Sequence, residues 1–275
     1  GTQSSGLWEF LATGAMSKHL HTARAAESGV LAALLAKEGF TGPEAILEGE
    51  KGFFAGLCPD PIPSAVTAAP DRPWALTATS IKPWPCCRHT HPAIDAALAL
   101  HEQLAGAPVA SVAVATYQAA LDVCDRPDPS EPYGARFSLQ HCVAAALTDG
   151  AVTPASFDGP ARARLAATRA TVTVARSPDI DAAYPDAWGA DVSVLAADGR
   201  TLQAVRHDAL GDPGNPLPAE AVAAKARSLL IDGCMEPPAS DALIAAILAL
   251  PEDRPVGSLG LFARDATARA ARSAA

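Results

Sequence analysis

Helical periodicity dominates the first part of the chain, from residue 7 to about residue 57. Apolar residues such as Val30 and Leu34 fall on one face of a helix that we predict from residue 25 to 38. Gly39 follows this run and is a typical stop signal for a helix. The opening segment therefore reads as part of a helical domain.

A proline-rich break separates this segment from the rest of the chain. Prolines are frequent in residues 58–63 and again in residues 69–73, and neither stretch can sustain a long helix. We therefore predict a domain boundary near residues 70 to 80.

The pattern then changes to alternating apolar and polar residues, which is typical of strands. Strands are predicted at 109 to 117 and at 171 to 174. Residues 191 to 207 read as a hairpin, in which the Asp198-Gly199 pair suits a type I′ turn. The middle of the chain therefore mixes strands with helices.

Helical patterns return between and after the strands. Ser138 is a suitable cap for a helix that ends at Gly150, and a second helix is predicted from 218 or 219 to 231. Ser240 is predicted to cap a third helix that ends at 250, and the tail after 263 is expected to fray.

These elements predict an α+β fold, in which a smaller α+β lid domain is inserted into part of an all-α helical domain. The predicted division is a first helical part at 1–78, the lid-like domain at 79–210 and a second helical part at 211–275. No internal repeat is evident.

Composition and charge narrow the choice of partner. Of the 275 residues 49% are hydrophobic, which is ample for a core, and the formal net charge is −9. Nucleic acid and acidic membranes bind basic faces, so neither is expected as a partner. The apolar run at 242–250 is far shorter than the ~20 residues needed to span a membrane.

The six cysteines predict reduced thiols in a cytoplasmic protein. No C-x-x-C pair occurs, and the adjacent Cys86 and Cys87 suit neither a disulfide with each other nor a zinc or iron–sulfur site. We therefore expect no metal and no other cofactor.

Two basic clusters carry the candidate chemistry. The first holds Lys82, Arg88, His89 and His91 directly before a helix that is predicted to start near Pro92. Cations at the positive end of a helix favour a bound carboxylate or phosphate.

The second cluster has the same character. Lys18, His19, His21 and Arg24 come just before the run at 25 to 38. Two such loops in one chain suggest a single ligand with several carboxylates.

Each candidate residue has a functional and a structural interpretation. Lys18, Lys82 and Arg88 are predicted to bind substrate carboxylates. His21, His91 and His141 are candidates for proton transfer, because a histidine titrates near neutral pH. The alternative for His21 and His91 is a bond to backbone at the start of a helix, and His141 would otherwise be a helix-surface residue. The two H-x-H patterns are poor metal sites in a loop-to-helix context.

Several motifs together resemble the MmgE/PrpD family, which includes 2-methylcitrate dehydratase, cis-aconitate decarboxylase and an iminodisuccinate epimerase. The resemblance implies a helical domain and a lid-like domain with the active site between them, and substrate-binding lysines at Lys18 and Lys82. Some members have a histidine near the place of Cys87 and a tyrosine near that of His141. The motifs are Gly14-Ala15-Met16-Ser17-Lys18-His19-Leu20-His21, Gly39-Phe40-Thr41-Gly42-Pro43, Lys82-Pro83-Trp84-Pro85-Cys86-Cys87-Arg88, Thr90-His91-Pro92-Ala93-Ile94-Asp95, Phe137-Ser138-Leu139-Gln140 and Gly211-Asp212-Pro213-Gly214-Asn215-Pro216-Leu217.

The resemblance implies a lyase of the 2-methylcitrate dehydratase type, acting without metal on a small di- or tricarboxylic acid, and a homodimer. It also implies an N-terminal helical half with further catalytic residues, which this sequence does not contain. An epimerase or racemase, and a decarboxylase, remain open alternatives. A further alternative is a non-catalytic fragment or a subunit that needs a separate N-terminal half.

Overall fold

A computed structural model describes residues 3–13, 15–67 and 74–249. It divides the chain into two compact units, Gly1–Pro216 and Leu217–Ala275. The helices of the first unit are α1 (Phe10–Thr13), α2 (Ser17–Lys37), α3 (Phe53–Leu57), α4 (Pro63–Thr67), α5 (His91–Leu104), α6 (Gln118–Cys124), α7 (Pro132–Ala135), α8 (Leu139–Asp149), α9 (Gly159–Arg164), α10 (Ala166–Ala170) and α11 (Pro178–Ala183). Its strands are β1 (Val109–Thr116), β2 (Val172–Arg176), β3 (Ala190–Ala196) and β4 (Thr201–Arg206), and the second unit contributes α12 (Ala219–Asp232) and α13 (Pro237–Leu248).

The four strands form one mixed sheet in the order β2-β1-β3-β4. β1 pairs parallel with β2 and antiparallel with β3, and β3 and β4 form the predicted hairpin. Inward-facing valines of the central strands, such as Val112, Val114, Val192 and Val194, are buried in the core. The prediction of an α+β fold is therefore confirmed, whereas the lid arrangement stays a prediction.

The core lies where α5 and α8 pack against each other and against the sheet. Ile94, Leu100 and Val143 are completely buried there. Asp95 ties α5 to the segment after β4, because its carboxylate accepts hydrogen bonds from Arg206 Nε at 2.9 Å and from the Leu210 amide at 2.8 Å. This arrangement fixes the start of α5 relative to residues 206–210.

Several sequence predictions agree with the structure. α5 is preceded by a 3₁₀ turn at Arg88–Thr90, and Gly106 follows its end in the left-handed region. Ser138 caps α8 by accepting a hydrogen bond from the His141 amide at 3.0 Å, and Gly150 ends that helix.

Two predictions about the first segment are wrong. α2 begins at Ser17 rather than near residue 25, so Lys18 and His21 lie within the helix and not in a loop before it. No glycine or proline interrupts residues 17 to 25, and the backbone therefore propagates helically from Ser17. Residues 40–52 form turns rather than helix, because three glycines and a proline interrupt that stretch.

Two smaller corrections concern caps and turns. Ser240 lies inside α13 and does not cap it, because Pro237 already starts the helix at its first turn. The hairpin turn is not type I′, since a four-residue connection joins β3 to β4 and only Gly199 has a positive φ. The predicted fraying after 263 lies outside the described residues.

Among the described residues, no helix is both long enough and apolar enough to span a bilayer. The apolar run that begins at Ala242 belongs to the 12-residue α13.

Candidate active site

The start of α2 lies against the region between α6 and α8. Lys18 Nζ lies 5.9 Å from the centre of the Phe137 ring, and the His19 ring meets the Tyr133 ring edge-on at 5.4 Å. Arg126 strengthens this junction by donating a hydrogen bond to the Leu11 carbonyl at 2.7 Å. Lys18 thereby lies close to the first basic cluster, which contains Lys82.

Lys82, Arg88 and Lys18 form one group, which we call the cationic cluster. Partial burial lowers the pKa of Lys82, and the charges of Lys18 and Arg88 lower it further. Lys82 Nζ also donates a hydrogen bond to the Cys86 carbonyl at 3.2 Å. The three neighbouring positive charges repel one another, and a bound anion would offset this repulsion.

Arg88 is held by a buried carboxylate. Its guanidinium pairs with Asp212, which also accepts a hydrogen bond from Ser80 Oγ at 2.7 Å and from the Ala209 amide at 3.1 Å. Arg88 Nη1 is buried and has no hydrogen-bond partner among the described residues. One side of the guanidinium is therefore fixed and the other retains an unused donor.

Gly211 explains why the Asp212 loop can approach the Lys82 segment. Its φ is +95°, and a Cβ at this position would lie 2.0 Å from the Ile81 carbonyl oxygen. The Ile81 amide donates to the Gly211 carbonyl at 2.8 Å, which joins the two segments. Only glycine fits this close approach of two backbones.

The three histidines predicted for proton transfer lie in different environments. His21 packs edge-on against Phe10 at 5.4 Å and lines a groove of about 780 Å³ together with Gly6 and Arg24. His21 thus contacts Phe10 and lines the groove, whereas Lys18 contacts Phe137.

His91 and His141 are completely buried. His91 lies edge-on to Trp84 at 5.1 Å, and neither of its ring nitrogens has a well-directed hydrogen bond. His141 Nε2 is 2.8 Å from the Ser156 carbonyl, so His141 is a core residue and not the helix-surface residue of the alternative interpretation. Catalytic roles for all three histidines stay predictions.

The thiols beside the cluster form two interacting pairs. Burial alone would raise the pKa of Cys86, but contacts with Cys142 and His91 outweigh it and lower that pKa. A contact with the Cys124 thiol lowers the pKa of Cys87 to about 7. Among the described residues, no group of three or more histidines, cysteines and carboxylates could hold a metal ion.

Four residues of this region were missed by sequence reasoning. The motif that contains Asp212 indicates the family but predicts no role for its carboxylate. Tyr117 and Trp188 contact the ring of His89, a member of the first basic cluster, and Tyr184 stacks on Tyr117. Isolated aromatic residues carry no spacing signal, so sequence alone could not place them here.

Comparison with known proteins identifies the family. The model of the MmgE/PrpD C-terminal domain matches residues 84–249, and that of the MmgE/PrpD N-terminal domain matches residues 1–65. The chain belongs to the MmgE/PrpD family. The boundary between the two family domains falls between residues 65 and 84, in the proline-rich break.

Two similar proteins are cis-aconitate decarboxylases. The human protein is 30% identical over 151 residues, which cover 51% of this chain and 31% of the human protein. The mouse protein is 28% identical over 200 residues, which cover 68% of this chain and 40% of the mouse protein. The match therefore spans about a third to two fifths of these relatives.

Proposed function

We propose that this MmgE/PrpD chain forms the carboxylate-binding part of a lyase that acts on a small di- or tricarboxylic acid. The observation that carries the proposal is the convergence of Lys18, Lys82 and Arg88 from two distant segments. Removal of a proton next to a carboxylate builds negative charge on the substrate, and fixed cations stabilise that charge.

The leading reaction is dehydration of the 2-methylcitrate type. Lys18 and Lys82 would each bind a carboxylate, and the guanidinium of Arg88 would add positive charge beside them. His21 or His91 would assist proton transfer. We further propose a cytoplasmic homodimer, in keeping with the expectation from the sequence.

Decarboxylation is the second candidate, because both similar proteins carry the name cis-aconitate decarboxylase. The same cationic cluster would then stabilise the carbanion that is left when carbon dioxide departs. Product analysis separates the reactions. Dehydration forms an alkene without release of carbon dioxide, decarboxylation releases it, and an epimerase only exchanges the α-proton with solvent.

Residues 1–65 match the N-terminal domain of the family, and an exposed apolar surface within them supports the need for further helices. No residue of α2 is buried, and Val30, Leu31, Leu34 and Leu35 are 63%, 44%, 56% and 37% exposed. We propose that a helical N-terminal half, on the same or a separate chain, packs here and supplies further catalytic groups.

The 275-residue chain alone is expected to show little or no turnover of methylcitrate-like acids, and to gain it when the N-terminal half is supplied. The reason is that the proposed helical half would supply one wall of the cleft and further catalytic groups. Alkene formation, followed by ultraviolet absorbance, measures this. Full activity of the chain by itself would contradict the proposal of a required second half.

Activity of the complete enzyme is expected to survive exhaustive chelation. The proposed reaction uses ammonium and guanidinium groups where a metal-dependent enzyme would use a Lewis acid. Assays before and after dialysis against EDTA test this expectation. Loss of activity that zinc or iron restores would show that a metal takes part.

A further inference from the structure

An aromatic group encloses the ring of His89 beside the cationic cluster. The His89 ring stacks on Trp188, with 4.7 Å between centroids and 8° between planes. Its Nδ1 lies 2.8 Å from the hydroxyl of Tyr117, and Tyr117 in turn stacks on Tyr184 at 4.7 Å. The imidazole is therefore fixed both on one face and at one nitrogen.

The surroundings of Tyr117 decide which nitrogen of His89 carries the proton. Tyr117 is completely buried, and within the described part of the chain its hydroxyl has only His89 Nδ1 as a hydrogen-bond partner. A buried hydroxyl proton without an acceptor is costly. The hydroxyl must therefore donate to Nδ1, which leaves the proton of a neutral imidazole on Nε2.

Burial and the neighbouring charges keep His89 neutral. Burial lowers its pKa to about 4, with further contributions from Arg88, Lys82 and Lys18 in that order. Arg88 lies on the same aromatic wall, with its guanidinium carbon 5.5 Å from the centre of the Trp188 ring. A second positive charge next to this guanidinium would be repelled.

Nε2 of His89 is unpaired among the residues that the structure describes and is not fully enclosed. Over residues 3–13, 15–67 and 74–249, Nε2 makes no hydrogen bond and is not among the fully buried unpaired atoms, unlike both ring nitrogens of His91. A fixed N–H donor at the edge of three cations suits an oxygen that carries or develops negative charge.

We propose that His89 presents its Nε2–H as a neutral hydrogen-bond donor to a carboxylate or enolate oxygen of an anion bound in the cationic cluster, and that Tyr117 is the positioning residue that sets this tautomer. The proposal deepens the proposed function and rests on it. It assigns His89 the role of a donor rather than a base, because a proton on Nε2 and a bonded Nδ1 leave no lone pair for the substrate.

The tautomer is tested first, without any ligand. In ¹⁵N-labelled chain, long-range ¹H–¹⁵N correlations should show His89 protonated at Nε2 and unprotonated at Nδ1. Tyr117→Phe keeps the ring stack but removes the hydroxyl, so this variant should show a mixture of tautomers. A proton on Nδ1 in the unaltered chain would overturn the assignment.

Binding of tricarballylate, a tricarboxylate probe, is tested next by NMR titration. The probe should shift the Nε2–H resonance of His89. His89→Phe, which keeps the stack on Trp188, should bind five- to tenfold more weakly, whereas His89→Gln, which restores an N–H donor, should stay within about threefold of the unaltered chain. His207→Phe is the control, because His207 is exposed.

The outcomes separate the two proposals. Equal affinity of His89→Phe and the unaltered chain would overturn the role of His89 while leaving the cationic cluster intact. Absence of binding to the unaltered chain, with the Nε2 tautomer observed, would instead overturn the proposed anion site and with it the ligand role of His89.

Discussion

Replacing either Lys18 or Lys82 by methionine in the complete enzyme should lower kcat/KM by about 10² to 10³. Each change removes a charge-assisted bond to a carboxylate, for which about 2 to 4 kcal/mol of transition-state binding is expected. The melting temperature should not change, because neither side chain belongs to the hydrophobic core and methionine keeps most of the apolar stem.

The control for this pair is Lys37→Met, in the last turn of α2 and far along the helix from Lys18. It should leave kcat/KM unchanged.

A second measurement needs no substrate. Because the charge of Lys18 lowers the pKa of Lys82, the pKa of Lys82 should rise in Lys18→Met, as followed by NMR of its ammonium group. Normal kinetics in both variants, or an unmoved Lys82 pKa, would contradict a single shared site.

Asp212→Asn should reduce the free energy of unfolding by about 3 kcal/mol, since it leaves Arg88 without its buried counter-charge. The substitution also places an amide N–H₂ where one carboxylate oxygen accepts the Ala209 amide. The side chains of Arg88 and Asp212 are only 14% and 8% exposed, so water cannot replace the lost partner. Thermal and urea unfolding measure the effect, with a fall in Tm of about 6 to 12 °C for a protein of this size.

Asp198→Asn is the matched control. Asp198 pairs with Arg200 on the hairpin turn, where the two side chains are 44% and 46% exposed, and an exposed pair contributes at most about 1 kcal/mol. The double variant Arg88→Met with Asp212→Asn should recover part of the stability lost by Asp212→Asn alone, because no unpaired charge then remains buried. Equal destabilisation by the two single aspartate variants would contradict a structural role for the Arg88–Asp212 pair.

The sequence by itself determined those helices and strands whose signals lie within a few neighbouring residues. Ser138 and Gly150 delimit α8 because capping bonds are made between residues a few positions apart. The alternating valines of β1 and β3 predicted strands for the same reason. The predicted start of α2 was wrong, because the run of basic residues was interpreted as a loop. That run contains no residue that breaks a helix, so the helix begins at Ser17.

The tertiary structure decided which residues share the site. Sequence indicated that Lys18 and Lys82 belong to similar clusters, but not that Arg88 is tied to Asp212 or that His91 and His141 are completely buried. The role of His89 could be inferred only from the fold. Its contacts are Tyr117, at the end of β1, and Trp188, in the loop after α11. Contacts between segments so far apart leave no periodicity in the sequence, because they depend on how helices and sheet pack, and packing is a property of the folded chain as a whole.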